Sequence, residues 1–244
     1  MILLDCGNSS LKAQLRASGR VRASFACAYR GDWSERLHHW MSDLDSERCY
    51  QSSVLDAVRQ SRLDACLAEK FGEDVIRFRS KARAGGVVNG YERPAQLGVD
   101  RWLAMIGATE LVSDDCVVID AGSAITLDLL RADGRHLGGA ILPGVNTSLR
   151  RFRQIFSHID FDDPRIGHCD QPGCSTEAAI QIDYPRDSIE RLRELVSEWT
   201  QQLDPNASLL LAGGDAPRLQ SRLERPCRIV PDLVFLGMCK LAEQ

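Results

Sequence analysis

Asp5-Cys-Gly-Asn-Ser-Ser-Leu-Lys-Ala-Gln-Leu-Arg-Ala-Ser-Gly-Arg20 and Asp120-Ala-Gly-Ser-Ala-Ile-Thr-Leu-Asp-Leu-Leu-Arg-Ala-Asp-Gly-Arg135 lie 115 residues apart (120 − 5) and agree at seven of sixteen positions. Unrelated segments of ordinary composition would agree at about one. A short β-favouring run, Ile2-Leu3-Leu4 or Val117-Val118-Ile119, leads into each copy and ends on the acid. Second strands are expected over Lys12 to Arg16 and Thr126 to Leu130. Ser18-Gly19 and Asp133-Gly134 then read as hairpin turns, because glycine accepts the positive φ such turns demand. Third strands follow over Val21 to Ala26 and His136 to Leu142. The chain therefore reads as two copies of one hairpin-led unit.

Between and beyond the copies, strands alternate with helical spacing, which makes the class α/β. The pattern predicts a helix over 53–71 with Ser53 as N-cap and a strand from Asp74 to Arg79. A Gly-rich loop over 80–95 and a helix over 97–112 follow. A boundary near Ser113-Asp114-Asp115 gives domains 1–113 and 114–244. In the second, Asn146 is a helix cap and Asp187 with Glu190 has capping-box spacing. Ile189, Leu192, Val196, Trp199 and Leu203 form one apolar stripe. Leu209 to Ala212 reads as a buried strand running into Gly213-Gly214-Asp215, and Pro231 opens the last helix.

With 244 residues and a charged fraction of 26%, the chain is long and apolar enough for real cores. The net charge of −4 argues against a nucleic-acid coat. No apolar run reaches the ~20 residues of a membrane span. Met1-Ile2-Leu3-Leu4-Asp5 meets an acid too soon for a signal peptide. Nine cysteines occur without a C-x-x-C pair; Cys169 and Cys174, the closest two, have no histidine in ligand order. Reduced thiols and a cytoplasmic location are the expectation.

The chemistry that suits two such loops is phosphate binding. Glycine after a strand lets backbone N–H groups approach phosphate oxygens. In the first copy Cys6, Gly7, Asn8, Ser9, Ser10 and Leu11 frame the loop, the polar members add neutral donors, and Lys12 adds a positive charge. Asp5, at a strand end, suits Mg²⁺ directly or through water. Gly122 and Ser123 grip from the second copy. Gly213-Gly214 after a buried strand leaves room for a flat purine. Asp100, near a helix start, reads by itself as a partner of the helix dipole.

Taken together these motifs resemble the actin, sugar-kinase and Hsp70 superfamily, and more closely the type III pantothenate kinases, the Bvg-accessory-factor family. The resemblance runs nearly end to end. It rests on Asp5-Cys-Gly-Asn-Ser, Asn89-Gly-Tyr91, Leu97-Gly-Val-Asp-Arg-Trp102, Asp120-Ala-Gly-Ser-Ala-Ile-Thr126, Gly138-Gly139-x₃-Pro143-Gly144, Thr176-Glu-Ala178 and Gly213-Gly-Asp-Ala216. It implies two duplicated ribonuclease-H-like (actin-like ATPase) domains with mixed β-sheets flanked by helices, and transfer of the ATP γ-phosphate to pantothenate. By it, Asp100 is the base, and Tyr91, Gly98, Val99, Asp100 and Arg101 bind pantothenate, Arg101 through its two-donor fork. Thr176 reaches the substrate of a neighbouring subunit, which implies a homodimer with the pantothenate site near the interface. Asp120 holds a monovalent cation, K⁺ or NH₄⁺, beside Mg²⁺-ATP. Ser9 and Ser123 stand where the family usually has threonine, and the segment Asp160 to Gly173 departs from the familiar pattern.

Two rival readings remain on sequence grounds. One is a nucleotide-binding accessory or regulatory protein of the same fold without turnover. The other is a superfamily kinase acting on a sugar or short acid, which Asn-Gly-Tyr and Gly-x-Asp-Arg disfavour.

Overall fold

The structure, a computed structural model, describes residues 1–147, 150, 154, 174, 186–223 and 225–243. Its two compact units are not consecutive in sequence. The first comprises Met1–Ser113, Ala132–Leu137 and Asp232–Gln244; the second comprises Asp114–Arg131 and Gly138–Pro231.

The first unit opens with β1 (Ile2–Cys6), β2 (Ser10–Ala17) and β3 (Arg20–Ala28). Ser18 (φ 51°) and Gly19 (φ 72°) both take the left-handed region, as a tight two-residue hairpin requires. Helix α1 (Trp33–Ser42), β4 (Cys49–Ser53), α2 (Ala57–Phe71) and β5 (Val75–Arg77) complete a five-stranded sheet of order β3-β2-β1-β4-β5. The β1–β2 and β2–β3 pairs are antiparallel, and β1–β4 and β4–β5 are parallel. Alternation along β1 divides its side chains between two faces. Ile2, Leu4 and Cys6 join Leu37 and Met41 of α1 and Leu63 and Leu67 of α2 in one core. Leu3 and Asp5 point to the other face.

That other face is covered by α3 (Val99–Ala108) and by the helix Leu233–Ala242 at the end of the chain. Helix α3 is buried nearly all round, with Trp102, Leu103, Met105 and Ile106 fully enclosed. The two helices touch backbone to backbone. A methyl group on Gly107 would run into the Leu233 carbonyl, and one on Gly237 into the Leu103 carbonyl.

Several local expectations move. The helix expected over 53–71 begins at Ala57, because Asp56 rather than Ser53 caps it: its carboxylate accepts from the Arg59 N–H at 2.9 Å. Ser53 ends β4 and donates its hydroxyl to Gln60 at 2.6 Å. The loop over 80–95 contains a small hairpin, β6 (Arg83–Ala84) and β7 (Val87–Val88), and the helix expected over 97–112 is the shorter α3.

In the second unit, β8 (Cys116–Ala121), β9 (Ala124–Leu130), β10 (His136–Pro143), α4 (Arg186–Trp199), β11 (Ser208–Ala212), α5 (Ala216–Gln220) and β12 (Arg228–Ile229) precede the C-terminal α6 (Leu233–Ala242). The sheet order β10-β9-β8-β11-β12 repeats that of the first unit, strand for strand. Val117, Ile119, Leu127, Leu129, Leu209 and Leu211 pack against Ile189, Leu192 and Val196 of α4, so the stripe read from the sequence is the core face of that helix. The capping box expected at Asp187 falls outside the described side chains. Asn146 donates instead to the Asp215 carboxylate at 3.3 Å. Asp232, before α6, accepts from Gln14 at 2.9 Å.

The two copies differ in one register step. Asp5 pairs with Lys12, seven residues on (12 − 5), whereas Asp120 pairs with Thr126, six residues on (126 − 120). The first loop closes from Gly7 N to Ser10 O at 3.1 Å and the second from Gly122 N to Ala124 O at 3.0 Å. The ungapped alignment set Lys12 over Leu127; in the sheets its counterpart is Thr126. Among the described residues no helix is long and apolar enough to cross a membrane.

Candidate active site

The first loop expected to bind phosphate sits at the carboxyl end of β1. Asn8 and Ser9 are exposed and Ser10 is half-buried, so their donors face outward. Asp5 and Lys12, directly opposite across an antiparallel pair, project from the same face of the sheet. Arg59 from α2 donates to the Asn8 carbonyl at 2.6 Å and lies 5.4 Å from the Tyr29 ring centre, which fixes the loop from behind. Neither Arg59 nor Tyr29 carries a motif, so sequence reasoning passed over both. Cys6 and Leu11 are buried in the core, so only their backbone could meet a ligand at this loop. Burial, reinforced by the Asp5 carboxylate, pushes the Cys6 thiol well above the usual thiol range. Burial likewise pushes Cys49 and Cys116 up to about 12. These thiols are inert packing groups.

In the second unit three loops meet at the ends of β8 and β11. Gly213 (φ 88°) packs so closely on Asp120 and the Ala121 carbonyl that no side chain fits there. Asp215 N donates to the same Ala121 carbonyl at 3.0 Å. Gly144 lies against Gly122 and Ser123 with similar closeness, and the Thr147 hydroxyl donates to the Ser123 carbonyl at 2.5 Å. Gly213 is thus required by its contact with Asp120, whatever its role toward a purine.

Apart from Thr176, the residues expected on the acceptor side belong to the first unit, and the structure divides them. Asn89 staples its loop, donating to the carbonyls of Lys81 (3.2 Å) and Pro94 (3.1 Å) and accepting from Tyr91 N at 3.0 Å. Tyr91 is thereby presented toward Arg101, whose Nη1 donates to the Tyr91 hydroxyl at 2.8 Å. Arg101 is only 5% exposed. Two motifs far apart in character, Asn-Gly-Tyr and Gly-Val-Asp-Arg, therefore close on each other through one hydrogen bond. Gly98 and Val99 line a different feature, a cavity of about 560 Å³ shared with Gln51, Ser53, Gln60 and Arg77. There Gln60 donates to Asp64 at 2.7 Å and Arg77 pairs with Asp64 at 2.9 Å. Thr176 lies outside the described residues.

Asp100 stands in the first turn of α3, and its Oδ1 accepts from Arg101 N at 2.8 Å. The dipole reading of this acid is correct as far as it goes, since one carboxylate oxygen does serve the helix start. The same carboxylate folds back over Gly98: a methyl group there would sit 2.6 Å from Asp100 Oδ1. Glycine in this motif is space for the acid. If Asp100 is the catalytic base the family resemblance implies, Gly98→Ala should swing it off its anchor and lower kcat about tenfold or more, a misplacement effect, with the far-ultraviolet dichroism unchanged. A fully active variant would show that the carboxylate needs no such seat.

A profile of the type III pantothenate kinase family matches residues 1–186 of the chain. The chain belongs to the type III pantothenate kinase family. Among curated members, that of Pseudomonas aeruginosa is 35% identical over 98% of this chain and 97% of its own length. That of Pseudomonas fluorescens is 36% identical, with 98% and 97% covered. Solved structures show the fold more widely. A Campylobacter jejuni protein named for the Baf family of transcriptional activators superposes with a TM-score of 0.60 at 22% identity, over 100% of this chain and 98% of its own. MreB 5 of Spiroplasma citri gives 0.51 at 12%, with 98% and 94% covered. The type III pantothenate kinase fold here is accordingly the actin-like ATPase fold, two duplicated α/β units with mixed sheets flanked by helices.

A divalent metal that travels with ATP is commonly held by one or two carboxylates together with the phosphates. Among the described residues no group of three or more acidic, histidine or cysteine side chains could hold a metal ion unaided. A single carboxylate such as Asp5, at the end of β1, suits an ion that arrives with a nucleotide.

Proposed function

We propose that this chain transfers the γ-phosphate of ATP to the primary hydroxyl of pantothenate, giving 4′-phosphopantothenate and ADP, the first step of coenzyme A biosynthesis. The observation that carries this reading is the Tyr91–Arg101 hydrogen bond, which joins the two family motifs on the acceptor side beside Asp100. Asp5, Cys6, Gly7, Asn8, Ser9, Ser10, Leu11 and Lys12 of the first unit, and Gly122, Ser123, Gly213 and Gly214 of the second, are the proposed nucleotide contacts. Asp100 takes the hydroxyl proton as the oxygen attacks phosphorus and the bond to ADP breaks. Arg101, with Tyr91 on one arm of its fork, receives the substrate carboxylate, and Gly98 and Val99 contribute from the cavity they line. Magnesium, when bound at Asp5, neutralises phosphate charge. Asp120, near the end of β8, is the proposed ligand of K⁺ or NH₄⁺.

We further propose a cytoplasmic homodimer in which Thr176 of one subunit completes the acceptor site of the other; light scattering tests the dimer. The activity is tested by ADP release from Mg-ATP with and without pantothenate, in K⁺ and then in Na⁺. Pantothenate-dependent release that is faster in K⁺ is expected. Release indifferent to pantothenate would return the accessory-protein reading, and indifference to K⁺ would remove only the cation from Asp120.

A further inference from the structure

The Tyr91–Arg101 pair has a third member that neither motif contains. His136, the first residue of β10, is 3% exposed. Its ring stacks on that of Tyr91, with centroids 5.9 Å apart and planes 17° from parallel. Its Nδ1 accepts from Gly90 N at 3.4 Å, a long contact beside the ring stack. Arg101 completes the group: its guanidinium carbon lies 5.6 Å from the Tyr91 ring centre while Nη1 meets the hydroxyl.

His136 reaches this place on a tightly docked turn. Gly134 (φ 83°) lies directly on the Gly86 carbonyl, and Val88 N donates to Gly134 O at 2.8 Å. Val88 belongs to β7, which leads straight into Asn89-Gly-Tyr91. The turn and the Tyr91 loop are therefore braced against each other at two neighbouring points, and His136 closes on Tyr91 just beyond them.

We propose that His136 is a positioning residue for the acceptor: it fixes the plane of Tyr91 and, through the tyrosine hydroxyl, the orientation of the Arg101 fork. This rests on the reading of pantothenate as the acceptor. A guanidinium recognises a carboxylate through two parallel donors, so a tilted fork loses most of its advantage, and arginine has many rotamers to lose when it is fixed. Asp100 is held on the backbone N of Arg101 and over Gly98, not on the guanidinium contact with Tyr91. Loosening Tyr91 should therefore weaken acceptor binding and leave the chemical step nearly intact.

His136→Ala in the full chain is expected to raise the KM for pantothenate about tenfold, the scale of one aromatic pair with one hydrogen bond. kcat should stay within about twofold and the KM for ATP should not move. His136→Phe keeps a ring and should bring the pantothenate KM back to within about threefold of wild type. A second measurement needs no substrate. With four tyrosines in the chain, ¹³C-tyrosine labelling and a Tyr91→Phe control assign the Tyr91 ring signals. These should shift in His136→Ala and stay displaced by the stacked ring in His136→Phe. An unchanged pantothenate KM in the alanine variant, a phenylalanine variant as impaired as alanine, or static Tyr91 signals would each overturn the proposal. Wild-type enzyme without pantothenate-dependent turnover would instead defeat the functional reading alone, and the spectra would still judge the stack.

Discussion

Asp100→Asn lowers kcat by about 10²-fold or more and leaves Mg-ATP affinity unchanged, if Asp100 is the base that accepts the hydroxyl proton. The substitution isolates basicity from position. The asparagine carbonyl can still accept from Arg101 N, the contact that Asp100 Oδ1 makes at 2.8 Å, and it occupies the same space over Gly98. What disappears is the lone pair able to take a proton at neutral pH. Phosphoryl transfer relies mostly on placement and charge neutralisation, so the residual rate should be well above that of water alone. The pantothenate KM should change little, because Arg101 and Tyr91 keep their hydrogen bond. Steady-state rates with calorimetric ATP titration decide the matter. Near-normal turnover in the purified variant would remove Asp100 from the role and leave it as a helix-start acid.

The duplicated architecture was legible because seven matching positions fall where a strand, a turn and a hairpin each impose their own chemistry. The one-residue register difference was not, since Leu15, Arg16, Ala17, Gly19 and Arg20 align with their counterparts without a gap and conceal the shorter loop at Gly122. The cap at Asp56 was missed for a related reason: Ser53 and Asp56 both suit an N-cap, and only the sheet pairing that retains Ser53 in β4 separates them. On the functional side, Asn89, Tyr91 and Arg101 were visible as motifs, but their mutual contact depends on two loops being folded toward each other. His136 gave no signal at all. It reads as a strand residue after a hairpin turn, and its partner Tyr91 lies 45 residues earlier (136 − 91). Long-range side-chain pairing of this kind has no periodicity to announce it.

The return of α6 to the first unit was equally hidden, and it supports the second large prediction. Gly237→Val should destabilise the protein by about 3 kcal/mol or more. Valine would collide with the Leu103 carbonyl, a backbone atom that cannot rotate away, so α3 and α6 must separate. Separation opens the packing around Leu103, Met105, Leu233 and Met238, each fully buried. Urea unfolding should show a lower midpoint at constant slope. Gly214→Ala is the matching control, because nothing lies within 4 Å of the position its methyl group would take. Loss below about 1 kcal/mol in Gly237→Val would mean that the helices part cheaply, contrary to the cost of overpacking a close-packed interior. The same variant bears on catalysis. Asp100, Arg101 and the wall formed by Gly98 and Val99 all ride on the first turn of α3, whose far side is seated on α6. Any enzyme that remains folded should therefore lose turnover beyond its loss of folded fraction, because the helix that carries the proposed base is the helix that the valine displaces.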